Sequence, residues 1–416
     1  MRIRKLTSQL EKHLLSRRAQ SDAEAHSVAS EIVSDVRRRG EAALLTWANK
    51  LDHAELRPKD LWFSQKEIRA AERNVSADFL SAIRHAARNI RLVAEQQLPR
   101  SWSLEVEPGV RIRQRVVPIE SIGCYIPGGH ASLVSTLLMT AVPAQVASVP
   151  SIIAVCPKPN NELLATANFL GIDKLARIGG AQAIAALAYG TKSIPRVEKI
   201  FGPGNKYVTA AKQLVSADCA IDLPAGPTEA IVLADRGNAR WIAADLLAQA
   251  EHAPDAASFF ITTSTALARE VQRELKWQLG ELPFGAANIS TALSGAILIA
   301  PSLNAACQFV NRFAPEHLSL PSSSASLLQQ IRSSGTIFLG PWAAQPLGDY
   351  ATGSNHVLPT TGWAGRRGGL SAADFVKCVS VQSVSRKGFL RLANSVESLA
   401  EAEHLLAHRN AVRIRR

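Results

Sequence analysis

Three apolar segments of this chain run directly into glycine-rich turns, and this arrangement restricts the fold more than any other feature. They are residues 121–129 (SIGCYIPGG), 174–180 (KLARIGG) and 197–204 (VEKIFGPG). The second turn leads into a helical segment, Ala181 to Ala188, so that strand and helix patterns alternate along the chain. Alternation of this kind indicates an α/β protein with a parallel sheet and helices on both of its faces.

Glycine-rich loops at the ends of parallel strands are the usual places where α/β sheets bind ligands. Each of the three loops could bring backbone N–H groups close to a phosphate. A plain tight turn is the alternative for any one loop, although three plain turns after three strands are less expected. The dinucleotide fingerprint GxGxxG does not occur in the sequence.

Strand patterns continue in the second half of the chain, and helical patterns dominate both ends. The alternating residues 110–117 predict a strand, and apolar runs predict a further set at 230–234, 259–262, 296–299 and 336–339. Amphipathic helical spacing is found at 21–39 and 76–98, and from Ser371 onward we expect helix again. A chain of 416 residues is long enough for two or more domains.

The composition argues against several classes of protein. The longest apolar stretch, 133–154, is interrupted by Thr, Ser, Gln and Pro, so we expect no membrane span, which needs about 18 apolar residues. No apolar signal core follows the basic N-terminus, and we expect a cytoplasmic protein. The net charge of +12 is spread out and accompanies no nucleic-acid-binding motif, so it favours attraction of anionic cofactors over nucleic-acid binding.

The cysteines do not predict a disulfide framework or a thiolate zinc site. There are five of them, they are scattered, and no CxxC pair occurs. Cys124 stands just before a glycine-rich turn, where a thiol could add to an aldehyde. The alternative for Cys124 is a small buried hydrophobic residue.

Four short motifs carry side chains suited to metal binding and to acid/base chemistry. Gln249 and His252 are three positions apart, so that on a helix both could bind one ion. Asp349 offers a carboxylate beside Gly348, and His408 lies near the end of the chain. Glu316-His317 is an adjacent acid/base pair. Each motif alone has a structural alternative, but the set indicates an enzyme.

These motifs resemble the histidinol dehydrogenase family, and the resemblance extends over almost the whole chain. The segments that carry it are 179–191, 202–208, 222–229, 249–252, 314–318, 348–350, 355–360 and 407–408. The resemblance implies a zinc-dependent, NAD-linked enzyme that oxidises an amino alcohol, L-histidinol, to the amino acid in two steps through the aldehyde, as part of histidine biosynthesis.

The resemblance also implies the roles of individual residues. One Zn²⁺ per subunit would be bound by Gln249, His252, Asp349 and His408, a set of two nitrogens and two oxygens that suits zinc and is too rich in nitrogen for calcium. Glu316 and His317 would be catalytic. His317 would take the proton of the alcohol, since an imidazole has a pKa near neutrality, and Glu316 would activate water for the second step.

The remaining implied roles concern the cofactor and the substrate. NAD contacts are expected from Tyr125, Gln182 and Asn205, which lie on or just after the three glycine-rich loops. Substrate contacts are expected from Thr228, His356 and Glu403, and from the ligands and base Gln249, His252, His317, Asp349 and His408.

The family fold implied is two incomplete Rossmann-like domains with parallel sheets, one inserted in the other, plus small helical N- and C-terminal extensions. We place an N-terminal arm at 1–20 and the first α/β domain at 21–120 and 230–370. We place the inserted domain at 121–229 and the extension at 371–416. In this family the C-terminal segment reaches the partner subunit's site, so a homodimer with shared active sites is implied.

The chain departs from the family pattern at several positions near the expected site. His130 begins a changed loop after the Pro-Gly-Gly turn, and Gln345 stands where the family has Glu, so that a carboxylate near the metal is lost. These departures leave a second reading open, a related zinc- and NAD-dependent enzyme for another small amino or hydroxy alcohol. A catalytically silent homologue that binds metal or RNA is a third reading, which the retained motifs disfavour.

Overall fold

A computed structural model describes residues 1–18, 23–52, 55–128, 132–223, 226–251, 256–282, 295–322 and 325–416. Within these ranges the chain forms two parallel sheets and one small antiparallel sheet, with helices packed against the parallel ones. The predicted α/β class is confirmed.

The smaller parallel sheet contains the strands that precede the glycine-rich loops. Its order is β6-β5-β4-β7-β8, with β4 at Ser121–Tyr125, β5 at Ser151–Val155, β6 at Leu175–Ala176, β7 at Lys199–Phe201 and β8 at Ala220–Ile221. The helices between them are α6 (Val134–Val146), α7 (Asn161–Leu170), α8 (Gly180–Tyr189) and α9 (Lys206–Val215). Asn160 caps α7 and Asn205 caps α9 through their side-chain oxygens, which explains where these helices begin.

The larger parallel sheet has the order β1-β11-β10-β9-β12-β13. Its strands are β1 (Arg2–Lys5), β9 (Glu229–Leu233), β10 (Ala257–Thr262), β11 (Ala296–Ile299), β12 (His317–Leu320) and β13 (Thr336–Leu339). The helices of this part are α1 (Ser8–Arg18), α10 (Ala239–Ala250), α11 (Thr265–Glu281), α12 (Leu303–Phe313), α13 (Ala325–Gln330) and α14 (Gln345–Tyr350). From β9 the chain builds outward first through β10 and β11, and then on the other side through β12 and β13.

The N-terminal helices bury their apolar faces against the smaller sheet. They are α2 (Ala23–Arg39), α3 (Glu41–Asp52), α4 (Gln65–Ala71) and α5 (Ala77–Gln97). Val33 and Leu44, for example, share one core with Ile184 and Val208. The predicted first domain joins residues 21–120 to the larger sheet, whereas these helices pack against the smaller sheet. The domain limits themselves stay a prediction.

The third sheet is antiparallel, with β3 (Val110–Pro118) between β2 (Trp102–Glu107) and β14 (Val376–Val384). The strand at 110–117 is confirmed. The expectation of helix from Ser371 onward is wrong at β14, where the alternation of Val379 and Val381 with polar residues gives a strand before the helices. Two helices follow, α15 (Arg386–Ala402) and α16 (Leu406–Arg413). None of the described helices combines the length and apolar character that a membrane crossing requires.

Candidate active site

The predicted acid/base pair lies at the amino-terminal edge of the larger sheet. His317 opens β12 and pairs in register with Ala230 at the start of β9. In βα units the helices run back across the sheet, so the ends of α10 and α14 meet the beginnings of these strands. Gln249 lies in the last turn of α10 and Asp349 in the last turn of α14. Four predicted site residues are therefore on elements that converge at this edge.

His317 lies between two carboxylates. Its Nδ1 is 3.6 Å from Glu316 Oε2, and its Nε2 is 3.6 Å from Asp349 Oδ1. The side chain is almost completely buried, and neither ring nitrogen has a hydrogen-bond partner in the described part of the chain. Burial alone lowers the pKa of His317, but the charges of Glu316 and Asp349 outweigh it and raise that pKa to about 9. The two carboxylates therefore favour the protonated, charged form of the His317 imidazole.

Glu316 is buried and fixed by the neighbouring strand. Its Oε2 accepts a hydrogen bond from the backbone N–H of Glu229 at 3.0 Å. The carboxylate of Glu229 in turn accepts a hydrogen bond from the Thr361 backbone at 3.1 Å. Ala314, at the end of α12, has a φ of +47°, a left-handed conformation that is strained for a residue with a Cβ. Such strain next to Glu316 is typical of residues whose position serves a site.

Gln249 provides the observation that points most directly to a bound group. The residue has no exposed surface, and neither its Oε1 nor its Nε2 has a hydrogen-bond partner among the described residues. A buried amide without partners costs on the order of 1–3 kcal/mol, so proteins rarely retain one without a ligand. An amide oxygen and the Asp349 carboxylate are suitable donors for zinc, so the residues present fit the implied metal.

The described part of the chain does not complete that ligand set. His252 lies outside the described residues. His408 is exposed on α16. Among the residues that the structure covers, no three His, Cys, Asp or Glu side chains are arranged to hold a metal ion. The four-ligand set therefore stays a prediction.

The predicted cofactor residues lie at the carboxyl edge of the smaller sheet. Tyr125 is buried at the end of β4, and its hydroxyl accepts a hydrogen bond from Gly180 N at 3.1 Å. Burial raises the pKa of Tyr125, which keeps the phenol protonated. Gln182 is fully buried and donates to Asp52 Oδ2 at 3.2 Å. Asn205 is exposed and accepts hydrogen bonds from two backbone N–H groups of α9.

The predicted substrate residues divide into two groups. Thr228 and His356 are half-buried near the site, and His356 Nδ1 is 2.9 Å from the backbone oxygen of Asp349. Glu403 lies with His408 in the C-terminal region and is exposed. Of the departures, Gln345 is fully buried on α14, and His130 lies outside the described residues.

Cys124 is unsuited to nucleophilic chemistry in this fold. The residue has no exposed surface, and burial raises the pKa of its thiol to about 12. A thiol that stays protonated is a poor nucleophile, so Cys124 acts as a buried hydrophobic residue.

A buried ion pair beneath one predicted cofactor loop was not predicted from the sequence. The ammonium group of Lys212 pairs with Asp222 and donates a hydrogen bond to Gly202 O at 2.8 Å. Asp222 accepts a hydrogen bond from Gly202 N, also at 2.8 Å. The signal was available, because Lys212 stands on a helix face otherwise formed by Val208, Ala211 and Val215.

Glycine-rich loops on one parallel sheet and a buried acid/base pair on another are typical of α/β dehydrogenases that bind a nucleotide and a small substrate. Comparison with known proteins narrows this class. A model of the histidinol dehydrogenase family matches residues 15–416. The chain belongs to this family, which consists of NAD-dependent oxidoreductases, and the predicted enzyme class is confirmed.

Individual members of the family are similar to this chain over nearly their full lengths. The chain is 42% identical to the histidinol dehydrogenase of Methanosarcina mazei over 417 aligned residues, covering 98% of this chain and 96% of that one. It is 43% identical to the Aquifex aeolicus histidinol dehydrogenase, with 99% and 97% coverage. The crystal structure of the Elizabethkingia anophelis enzyme superposes with a TM-score of 0.94 at 37% identity and covers 100% of this chain and 98% of that one.

Proposed function

We propose that this protein oxidises L-histidinol to L-histidine in two successive NAD-dependent steps, with the aldehyde as intermediate, in the histidine biosynthesis of the cytoplasm. The relatives named above carry this activity in their names. The observation that carries the proposal furthest is His317, buried with Glu316 and Asp349 on either side. A catalytically silent relative would have no need to bury these three charged groups together.

In the first step the neutral form of His317 accepts the hydroxyl proton of the substrate while a hydride passes from the carbinol carbon to NAD. The two carboxylates raise the pKa of this imidazole to about 9, and a cation held at Asp349 would lower that pKa again, which favours the neutral form. The imidazole lies between two carboxylates that stabilise the imidazolium once the proton arrives. In the second step Glu316 accepts a proton from a water molecule, and the oxygen of that water adds to the aldehyde carbon. The protonated His317 returns its proton to the carbonyl oxygen, which completes the hydrate. The hydrate then gives a hydroxyl proton to His317 and a second hydride to a second NAD, and the carboxylic acid product releases its proton to solvent. Glu229 N–H fixes the Glu316 carboxylate for this task.

Gln249, His252, Asp349 and His408 would hold one zinc ion per subunit. When bound, zinc supplies positive charge that polarises the substrate hydroxyl and offsets the charge of Asp349. Tyr125, Gln182 and Asn205 would contact NAD. Thr228, His356 and Glu403 would contact the substrate.

We infer a homodimer with shared sites, because His408 and Glu403 are exposed on the C-terminal segment, whereas Gln249 and Asp349 are buried. The helices that carry them expose large apolar side chains, with Leu399 at 65%, Leu406 at 66% and Ile414 at 72%. Apolar patches of this kind mark protein interfaces. The docking of α15 and α16 on a second copy would cover the patch and bring His408 to the partner's Asp349.

The reaction is tested by incubating purified, zinc-loaded protein with L-histidinol and NAD while NADH is followed by absorbance. The proposal expects two NADH per L-histidine formed. Absence of NADH, with zinc confirmed in the protein, would favour another small amino or hydroxy alcohol. Gln345, one of the two departures that motivated that alternative, donates its Nε2 hydrogen to Ser319 Oγ at 2.8 Å, so its side chain is engaged within the protein.

The shared site is tested by subunit complementation. His317→Gln and His408→Gln chains are each expected to be inactive alone. In a mixed dimer one site combines the intact body of one chain with the intact C-terminal segment of the other, so co-expression should restore about a quarter of the wild-type activity. A mixture as inactive as its parents would contradict shared sites.

A further inference from the structure

The predicted ligand Asp349 is carried by a short helix that has little support of its own. α14 spans Gln345–Tyr350, and the alanine at its N-cap position offers no side-chain acceptor to the first turn. Six residues form too few helical hydrogen bonds to offset the cost of nucleating a helix. The position of Asp349 is therefore set by the groups against which α14 packs.

Gln345 connects α14 to two other elements of the site. Its backbone N–H faces the carboxylate of Asp245 on α10 and favours the charged form of that carboxylate. Its side-chain Nε2 donates a hydrogen bond to Ser319 Oγ on β12 at 2.8 Å. Because Gln345 has no exposed surface, water cannot take the place of either partner.

On each element, the residue that makes these contacts lies on the same face as a site residue, one helical turn away on a helix or two residues away on a strand. Asp245 precedes Gln249 by about one helical turn, and Gln345 precedes Asp349 by the same spacing, so each pair shares a helix face. Ser319 follows His317 on the same face of β12, since alternate residues of a strand point the same way. The elements that carry Gln249, His317 and Asp349 are thus joined at Gln345.

A close approach between Gly348 and the Phe338 ring also restricts the position of α14. A Cβ at Gly348 would lie 2.6 Å from Cε1 of Phe338, so only glycine fits without a shift. The Phe338 ring stacks on the His317 imidazole with centroids 5.9 Å apart. Helix α14 therefore packs against the Phe338 ring, which in turn stacks on His317, the proposed base.

We propose that Asp245 and Gln345 are positioning residues that hold Asp349 beside His317 and Gln249 in the arrangement that the metal ion requires. Neither residue belongs to the predicted ligand set. Their role is to remove freedom from α14, so that binding a metal does not have to order the helix. This inference rests on the proposed zinc site.

The test is the zinc affinity of the intact, metal-free protein, measured by competition with a chromogenic chelator. Asp245→Ala removes the carboxylate that faces the Gln345 N–H, and Asp245→Asn retains an oxygen at that place. Ser264→Ala is the matched control, because Ser264 Oγ caps α11 by accepting from Leu267 N at 3.2 Å and that helix carries no predicted ligand. The midpoint of urea unfolding is recorded for every variant.

Asp245→Ala is expected to weaken zinc binding about 10- to 100-fold, the usual effect of removing an outer support of a metal ligand. Asp245→Asn should stay close to wild type, and Ser264→Ala should lower the unfolding midpoint without changing zinc affinity. Wild-type affinity in Asp245→Ala, or equal losses in Ala and Asn, would overturn the positioning role alone. A wild-type protein that binds no zinc would overturn both the metal site and this inference.

Discussion

Removing Lys212 should destabilise the protein more than its single side chain suggests. The side chains of Lys212 and Asp222 retain only 3% and 0% of their surface, respectively. Asp222 also accepts hydrogen bonds from Gly202 N and Leu223 N. Lys212→Met fills a similar volume but leaves the Asp222 carboxylate buried without its counter-ion. Breaking a buried pair in this way costs about 3–5 kcal/mol of unfolding free energy.

The stabilisation comes from the interaction between Lys212 and Asp222. A double-mutant cycle measures the free energy of that interaction. Asp222→Asn keeps an acceptor oxygen for only one of the two backbone N–H groups, which bond different carboxylate oxygens, and it strands the Lys212 ammonium, so it should cost at least as much. With both charges removed, the double variant should be less destabilised than the sum of the two single variants by roughly 2 kcal/mol or more.

The assay is urea unfolding of metal-free protein, followed by tryptophan fluorescence and by circular dichroism, because two sheet units need not unfold together. The same variants should raise the KM for NAD more than they lower kcat, since Gly202 lies in a predicted cofactor loop. Additive costs across the cycle would refute the account of a coupled pair.

Three further outcomes are expected. Asp349→Ala should abolish tightly held metal, because one ligand and its neutralising charge are lost; unchanged metal content by elemental analysis would remove Asp349 from the ligand set. His317→Gln should slow turnover by about 10²–10⁴ while metal stays bound, as expected for loss of a general base, and wild-type turnover would exclude that role. Burial raises the pKa of Asp245 to about 6, so the folded state binds its proton more tightly than the unfolded state does. Wild-type stability relative to Asp245→Asn should then fall by about 2–3 kcal/mol as the pH rises from 4 to 7 and stay level above, and a constant difference in urea unfolding would contradict this.

Much of the fold follows from local patterns that are visible in the sequence. The strands before the glycine-rich loops and the alternating strand at 110–117 are where the patterns predict them, because burial on one or both faces imposes its own period on the residues. The strand Val376–Val384 was missed because its residues are mostly exposed and its partner, Val110–Pro118, is distant in sequence. Pairing with a remote strand cannot be read from a local window.

Part of the candidate site could likewise be predicted from the sequence, and part is visible only in the structure. Side-chain type and spacing identified Glu316, His317, Gln249 and Asp349 as candidates, and the motifs around them identified the family. Sequence alone gave no reason to connect Asp245 with Gln345, or Lys212 with Asp222, since these contacts depend on how helices cross the sheets.

The sequence by itself determined the chemistry that this protein can perform, because acid, base and ligand groups are properties of individual residues. It also determined where most strands and helices form, since periodicity and capping act over a few residues. Only the tertiary structure decided that His317 lies between two carboxylates 3.6 Å away and that the Gln249 amide is buried with no hydrogen-bond partner among the described residues. Distances and burial arise from packing between elements far apart in the chain, and these, rather than composition, set the pKa of the proposed base.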